Sequence, residues 1–162
     1  MLFTASHANG VSACRQYAVR SDDMYTLEEI AALRQKCKDL RLAGFRHLTG
    51  YSNEELQVIC NGIGPRGIPA FIRKSFNRLH PSLQSAAFIH DVEFEESDGT
   101  VTAFDRANTR FLINGLKMAK LYYPWYDLRR YILRHQTYRL AALCRRFGWL
   151  CWTWAALNNQ KR

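Results

Sequence analysis

Over residues 83–95 the apolar side chains recur at three- and four-residue spacing, which predicts a helix with Leu83, Ala87, His90 and Phe94 on one stripe. Asp91 then projects about 100° around the axis from His90. An imidazole on the apolar face with a carboxylate beside it can divide two tasks. His90 can move a proton, and Asp91 can hold a hard cation. The same dipeptide also suits a core histidine bonded to a carbonyl, next to a solvated aspartate.

Upstream lies Cys60-Asn61-Gly62-Ile63-Gly64-Pro65, a Gly-x-Gly loop. Glycine tolerates positive φ, so Gly62 and Gly64 permit a bend sharp enough to aim carbonyls inward. Calcium takes about six to eight oxygen ligands, and backbone carbonyls serve well. The loop also reads as an ordinary helix stop, with Gly62 just past a helix ending near Cys60 and Pro65 following. A Gly-rich turn, then a helix carrying His-Asp with an aromatic three residues after the Asp, resembles the phospholipase A2 superfamily. The bacterial and parvoviral branches, which dispense with most of the disulfides, are the closest in style.

Phe104-Asp105-Arg106-Ala107-Asn108-Thr109-Arg110-Phe111 resembles that family's second active-site helix, in which an acidic residue orients the catalytic histidine. Phe104, Ala107, Asn108, Phe111, Gly115 and Met118 share one face of a helical wheel, with Asp105 at its edge. Asn108 stands where the family pattern has Asp, and Phe94 stands where it usually has Tyr. Without the phenol, a buried carboxylate would lose a donor and cost more to keep charged. The two departures therefore belong together. They fit a retuned dyad with Asn108 or Asp105 as the orienting group, and they fit lost activity equally.

The resemblance covers roughly residues 55–120 and implies a mainly α-helical, phospholipase A2-like domain with two antiparallel active-site helices. It implies that His90 acts as general base on a water attacking a phospholipid acyl ester. It further implies that Asp91 and the carbonyls of Cys60, Gly62 and Gly64 hold calcium, whose contribution is Lewis-acid stabilisation of the developing oxyanion.

The chain has 162 residues, long enough for a substantial core, and 48% of them are apolar. Lys and Arg number 23 against 14 Asp and Glu, giving a net charge of +9. That surplus predicts an anionic partner: a phospholipid surface, nucleic acid or an acidic protein. A nucleic-acid binder is the reading with least support, because no reading motif accompanies the charge. Five scattered cysteines show neither zinc spacing nor a disulfide framework. No signal peptide and no membrane-spanning run is expected, which suits a cytoplasmic or virion-associated protein, peripheral at any membrane it meets. A non-catalytic binding or structural protein of a phage or a membrane remains the alternative class.

Residues 1–24 are expected to be a weakly ordered leader and 25–162 a single helical domain. Thr26-Leu27-Glu28-Glu29 is a capping box that opens a helix to about residue 42, with Ile30, Leu33, Cys37 and Leu40 inward. Ser52-Asn53-Glu54-Glu55 is a second, leading into the Gly-x-Gly loop. A basic helix follows Pro69; it is either a packing helix or a surface element whose Arg73, Lys74 and Arg78 face phosphates. Residues 95–100 form an acidic turn, and 101–103 a short extended piece. The tail, 125–162, contains a helix over 128 to about 157 with Leu140, Leu143, Cys144, Phe147, Cys151 and Trp154 on one stripe. Arg145, Arg146, Trp149 and Trp152 lie off that stripe, and Arg plus Trp on an amphipathic helix is the pattern of an interfacial membrane binder. The competing expectation is a docking helix packed on the domain or on a protein partner.

Overall fold

A computed structural model describes residues 25–60 and 70–160. The expected leader over 1–24 and the loop residues Gly62 and Gly64 lie outside the described residues, as does the side chain of Arg73. The fold is mainly α, with no strand among the described residues. Its helices are α1 (Leu27–Asp39), α2 (Asn53–Ile59), α3 (Ala70–Leu79), α4 (Gln84–Glu95), α5 (Val101–Tyr122) and α6 (Leu128–Gln160). Two 3₁₀ turns, Phe45–Gly50 and Pro81–Leu83, join them.

Both capping boxes form. The Thr26 hydroxyl accepts from the Glu29 amide at 3.2 Å while the Glu29 carboxylate accepts from the Thr26 amide at 2.8 Å. Ser52 and Glu55 repeat the exchange at α2 with the same two distances. Each box satisfies amides that a helix start would otherwise leave orphaned. Ile30, Leu33 and Cys37 of α1 are buried as the spacing required.

The middle of the fold is α4. Ser85, Ala86, Ala87, Phe88, Ile89, His90, Val92 and Glu93 are all buried, so this helix is covered nearly all round rather than along one stripe. Leu56 and Ile59 of α2, Leu42, Leu48 and the α1 residues join it in one core. α4 and α5 run antiparallel, since partners meet in reverse order: His90 on Asn108, Phe94 against Phe104, Leu83 beside Gly115. α6 returns along α5 in the same manner, with Thr137 at Gly115 and Trp149 at Phe104. The α5–α6 crossing is close at Gly115, where an added Cβ would sit 2.4 Å from Thr137 Cγ2. Buried Asn114 ties α5 to the turn after α1, accepting from the Ala43 amide at 2.7 Å and donating to the Ala43 carbonyl at 2.9 Å.

Two expectations are corrected. Residues 101–103 are the first turn of α5 rather than an extended piece, because the Thr100 hydroxyl caps the helix by accepting from the Ala103 amide at 3.2 Å. The second correction concerns the face of α6. Leu143, Phe147, Cys151 and Trp154 of the expected packing stripe are exposed, whereas Leu133, Thr137, Ala141, Trp152 and Ala156 are buried. Small residues decide this. Gly148 lies against the rings of Phe94 and Phe104, at 3.3 and 3.4 Å from a notional Cβ, and leaves room for Trp152 to pack edge-on against both.

Candidate active site

α4 presents His90 to α5, and the two helices bring it to Asn108 rather than Asp105. Nε2 of His90 lies 3.1 Å from Asn108 Oδ1, and both residues are buried. Asp105 is exposed at the edge of the same face of α5. The Asn108 amide is itself oriented, because its Nδ2 donates to the Phe104 carbonyl at 2.9 Å. Its oxygen therefore faces the ring, and an amide oxygen can only accept. Nε2 carries the ring proton and Nδ1 keeps a free lone pair.

Aromatic rings enclose the imidazole, with the Phe94 centroid at 4.3 Å and Phe111 at 5.3 Å. Burial pushes the His90 pKa down to about 4, against a smaller upward pull from Asn108. At neutral pH the ring is uncharged and can accept a proton. Phe94 packs on Phe104 and Trp152. A hydroxyl on that ring would enter an aromatic cluster.

Asp91 is half-buried on the neighbouring face of α4. Burial first, and then the Asp91 charge, push the Tyr25 hydroxyl up. The same two causes, in that order, push the Cys144 thiol up to about 12. Asp91 thus lies within electrostatic reach of both. Tyr25 accepts at its hydroxyl from Asn77 Nδ2 of α3 at 3.1 Å, which sets α3 beside this carboxylate. Cys60, at the end of α2, is buried with its thiol 3.7 Å from the Phe88 carbonyl, which puts the end of α2 beside the part of α4 that precedes His90. Among the described residues no group of three or more His, Cys, Asp or Glu is gathered as a metal site. The expected ligands Gly62 and Gly64 lie outside the described residues.

Of the residues expected to meet lipid, Lys74, Arg145 and Arg146 are exposed, and Arg145 donates to Thr109 Oγ1 at 3.0 Å. Trp152 is buried and Trp149 is half-buried against Phe104 at 5.3 Å. In this fold Trp152 is core, not a lipid contact, because its ring packs edge-on against Phe94 and Phe104.

No protein-family model, curated protein or solved structure matches the chain.

Sequence reasoning missed the polar cluster beside the dyad. Arg110 pairs with buried Glu93 and donates to His47 Nε2 at 2.9 Å, while His47 Nδ1 meets Glu96 at 2.6 Å. Burial pushes the Glu93 carboxyl up and Arg110 pulls it down. The cluster locks α4, α5 and the Phe45–Gly50 turn within a turn of His90. Opposite charges close to His90 and Asn108 on helices expected to pair were the available signal.

Proposed function

We propose that the protein is a calcium-dependent, phospholipase A2-like hydrolase of phospholipid acyl esters, with His90 Nδ1 as the general base. The observation that carries this reading is the His90–Asn108 bond at 3.1 Å, which fixes the tautomer and leaves Nδ1 bare. Nδ1 would take a proton from the water that attacks the ester carbonyl. Asn108 holds the ring but offers no charge to favour the imidazolium, and a ring held down to about pKa 4 is a weak base. Both features make the turnover slow. The Asp91 carboxylate with the carbonyls of Cys60, Gly62 and Gly64 would make an all-oxygen donor set of the kind calcium accepts. Bound there, calcium would supply Lewis-acid stabilisation of the oxyanion.

A lipid-facing surface fits α3. Phe71, Lys74, Arg78 and Leu79 are exposed on this helix, which also reaches Tyr25 beside Asp91. Apolar and basic side chains together suit an anionic interface. Among the described residues no helix is long and apolar enough to cross a membrane. A non-catalytic lipid-binding protein is the second reading, favoured by the enclosure of His90 between Phe94 and Phe111.

The test is fatty-acid release from mixed phospholipid vesicles, with and without calcium, by wild type and by His90→Ala. Calcium-dependent release by the wild type, lost in a folded His90→Ala protein, supports the hydrolase. Release retained by that variant ends the mechanism. Vesicle binding without any release by wild type supports the second reading.

A further inference from the structure

The outward face of α6 carries Leu140, Leu143, Phe147, Leu150, Trp154 and Leu157, spaced alternately by three and four residues. This is the a/d pattern of a coiled-coil seam, sustained over about 27 Å at 1.5 Å per residue. It lies roughly half a turn around the helix from Ala141 and Trp152, which pack inward. Five of the six side chains are between 51% and 77% exposed, and Leu140 is half-buried at the seam's inner end, packed against the core. An apolar seam of that length on a helix already fixed by its opposite face is an interaction surface.

Charge identifies the occupant. Between residues 128 and 160 the chain has six arginines and no Asp or Glu. Arg139 and Arg146 immediately precede Leu140 and Phe147, which places them along one border of the seam, and both are exposed. The Arg146 guanidinium lies 5.4 Å from the Phe147 ring centroid. A second copy of the chain would set these arginines against their own kind in an antiparallel pair and against Cys144 and Cys151 in a parallel one, with no carboxylate to meet them in either. The strict spacing is narrower than the broad apolar face of an interfacial helix. A lipid surface on this side would also have α6 between it and His90, about 10 Å of helix.

We infer that the Leu143–Phe147–Leu150–Trp154 seam of α6 docks an acidic amphipathic helix of a partner protein, with carboxylates on that helix facing Arg139 and Arg146. The docking does not depend on the chemistry of His90.

The probe is a designed helical peptide of about three heptads with Leu at a and d and Glu at e and g, paired with a control carrying Lys at e and g. Binding of each to the full-length protein is read by fluorescence anisotropy. The Glu peptide should bind, more weakly as salt rises, and the Lys peptide should not. Phe147→Ser with Leu150→Ser should weaken binding roughly a hundredfold while leaving the melting curve in place. Arg139→Glu with Arg146→Glu should reverse the preference towards the Lys peptide. Absence of Glu-peptide binding by folded wild type overturns the inference, as does equal binding of both peptides. Seam substitutions that abolish binding to phosphatidylglycerol vesicles but not to the peptide assign the seam to lipid instead. A dimer in sedimentation that those substitutions dissolve assigns it to a second copy.

Discussion

Gly115→Ala tests the α5–α6 crossing quantitatively. An added methyl would stand 2.4 Å from Thr137 Cγ2, 2.9 Å from Thr137 Oγ1 and 3.2 Å from Leu83 Cδ2. Thr137 is fully buried and cannot swing aside cheaply. Its side chain is β-branched, and its hydroxyl donates to the Leu133 carbonyl at 2.7 Å. Overpacking of this kind costs about 1–3 kcal/mol, and the lost hydrogen bond adds about 1 kcal/mol. Replacing a helical glycine by alanine returns about 1 kcal/mol through backbone entropy. The balance is a destabilisation of about 2 kcal/mol, or roughly 4–8 °C in Tm for a chain of this length. Urea denaturation followed by circular dichroism measures it. In a Thr137→Ala background both nearest atoms are gone, so Gly115→Ala should become neutral or stabilising, with a coupling of about 2 kcal/mol. Equal or greater stability of the single variant, or strict additivity of the two, would refute the packing described here.

Three further outcomes follow from the structure. Trp152→Ala should cost about 3–5 kcal/mol, whereas Trp154→Ala should stay within about 0.5 kcal/mol, and the opposite order in denaturant melts would mean α6 packs by its other face. Because the His90 pKa is about 4 in the folded protein against an ordinary 6.5, the unfolded chain binds more protons between those values. His90 therefore makes stability fall as pH drops through that window, by roughly 3 kcal/mol, and His90→Gln should flatten this part of the pH–stability curve. Calcium at a hundred times its Kd should stabilise the wild type by roughly 2–3 kcal/mol in thermal melts, and Asp91→Asn should abolish the effect; an unresponsive wild type would count against the metal reading.

The parts of the fold that follow local rules were legible in the sequence. Thr26 and Ser52 announced their helices because a capping box is complete within four residues. The His90–Asn108 encounter was legible as one of two options, since helical spacing put Asn108 on the inner face of α5 and Asp105 only at its edge. The structure separates the two by burying one and exposing the other. α6 was misread because it has two apolar faces, and spacing alone does not say which one packs. The answer lay in residues that carry little hydrophobic weight: Gly115 and Gly148, whose missing side chains admit Thr137 and the Phe94–Phe104–Trp152 cluster. The Arg110–Glu93–His47 cluster spans three elements, so no single window of sequence contains it.

In the proposed mechanism the native protein offers His90 Nδ1 as an unprotonated base held in place by Asn108. Nitrogen-15 spectra of the labelled imidazole, assigned against His90→Gln and followed through a pH titration, measure that directly. The expected result is a proton on Nε2, a bare Nδ1 at neutral pH, and titration near pH 4, with the tautomer preference weakened in Asn108→Ala. A ring protonated at Nδ1, or one that titrates near 6.5 as a solvated histidine does, would contradict it.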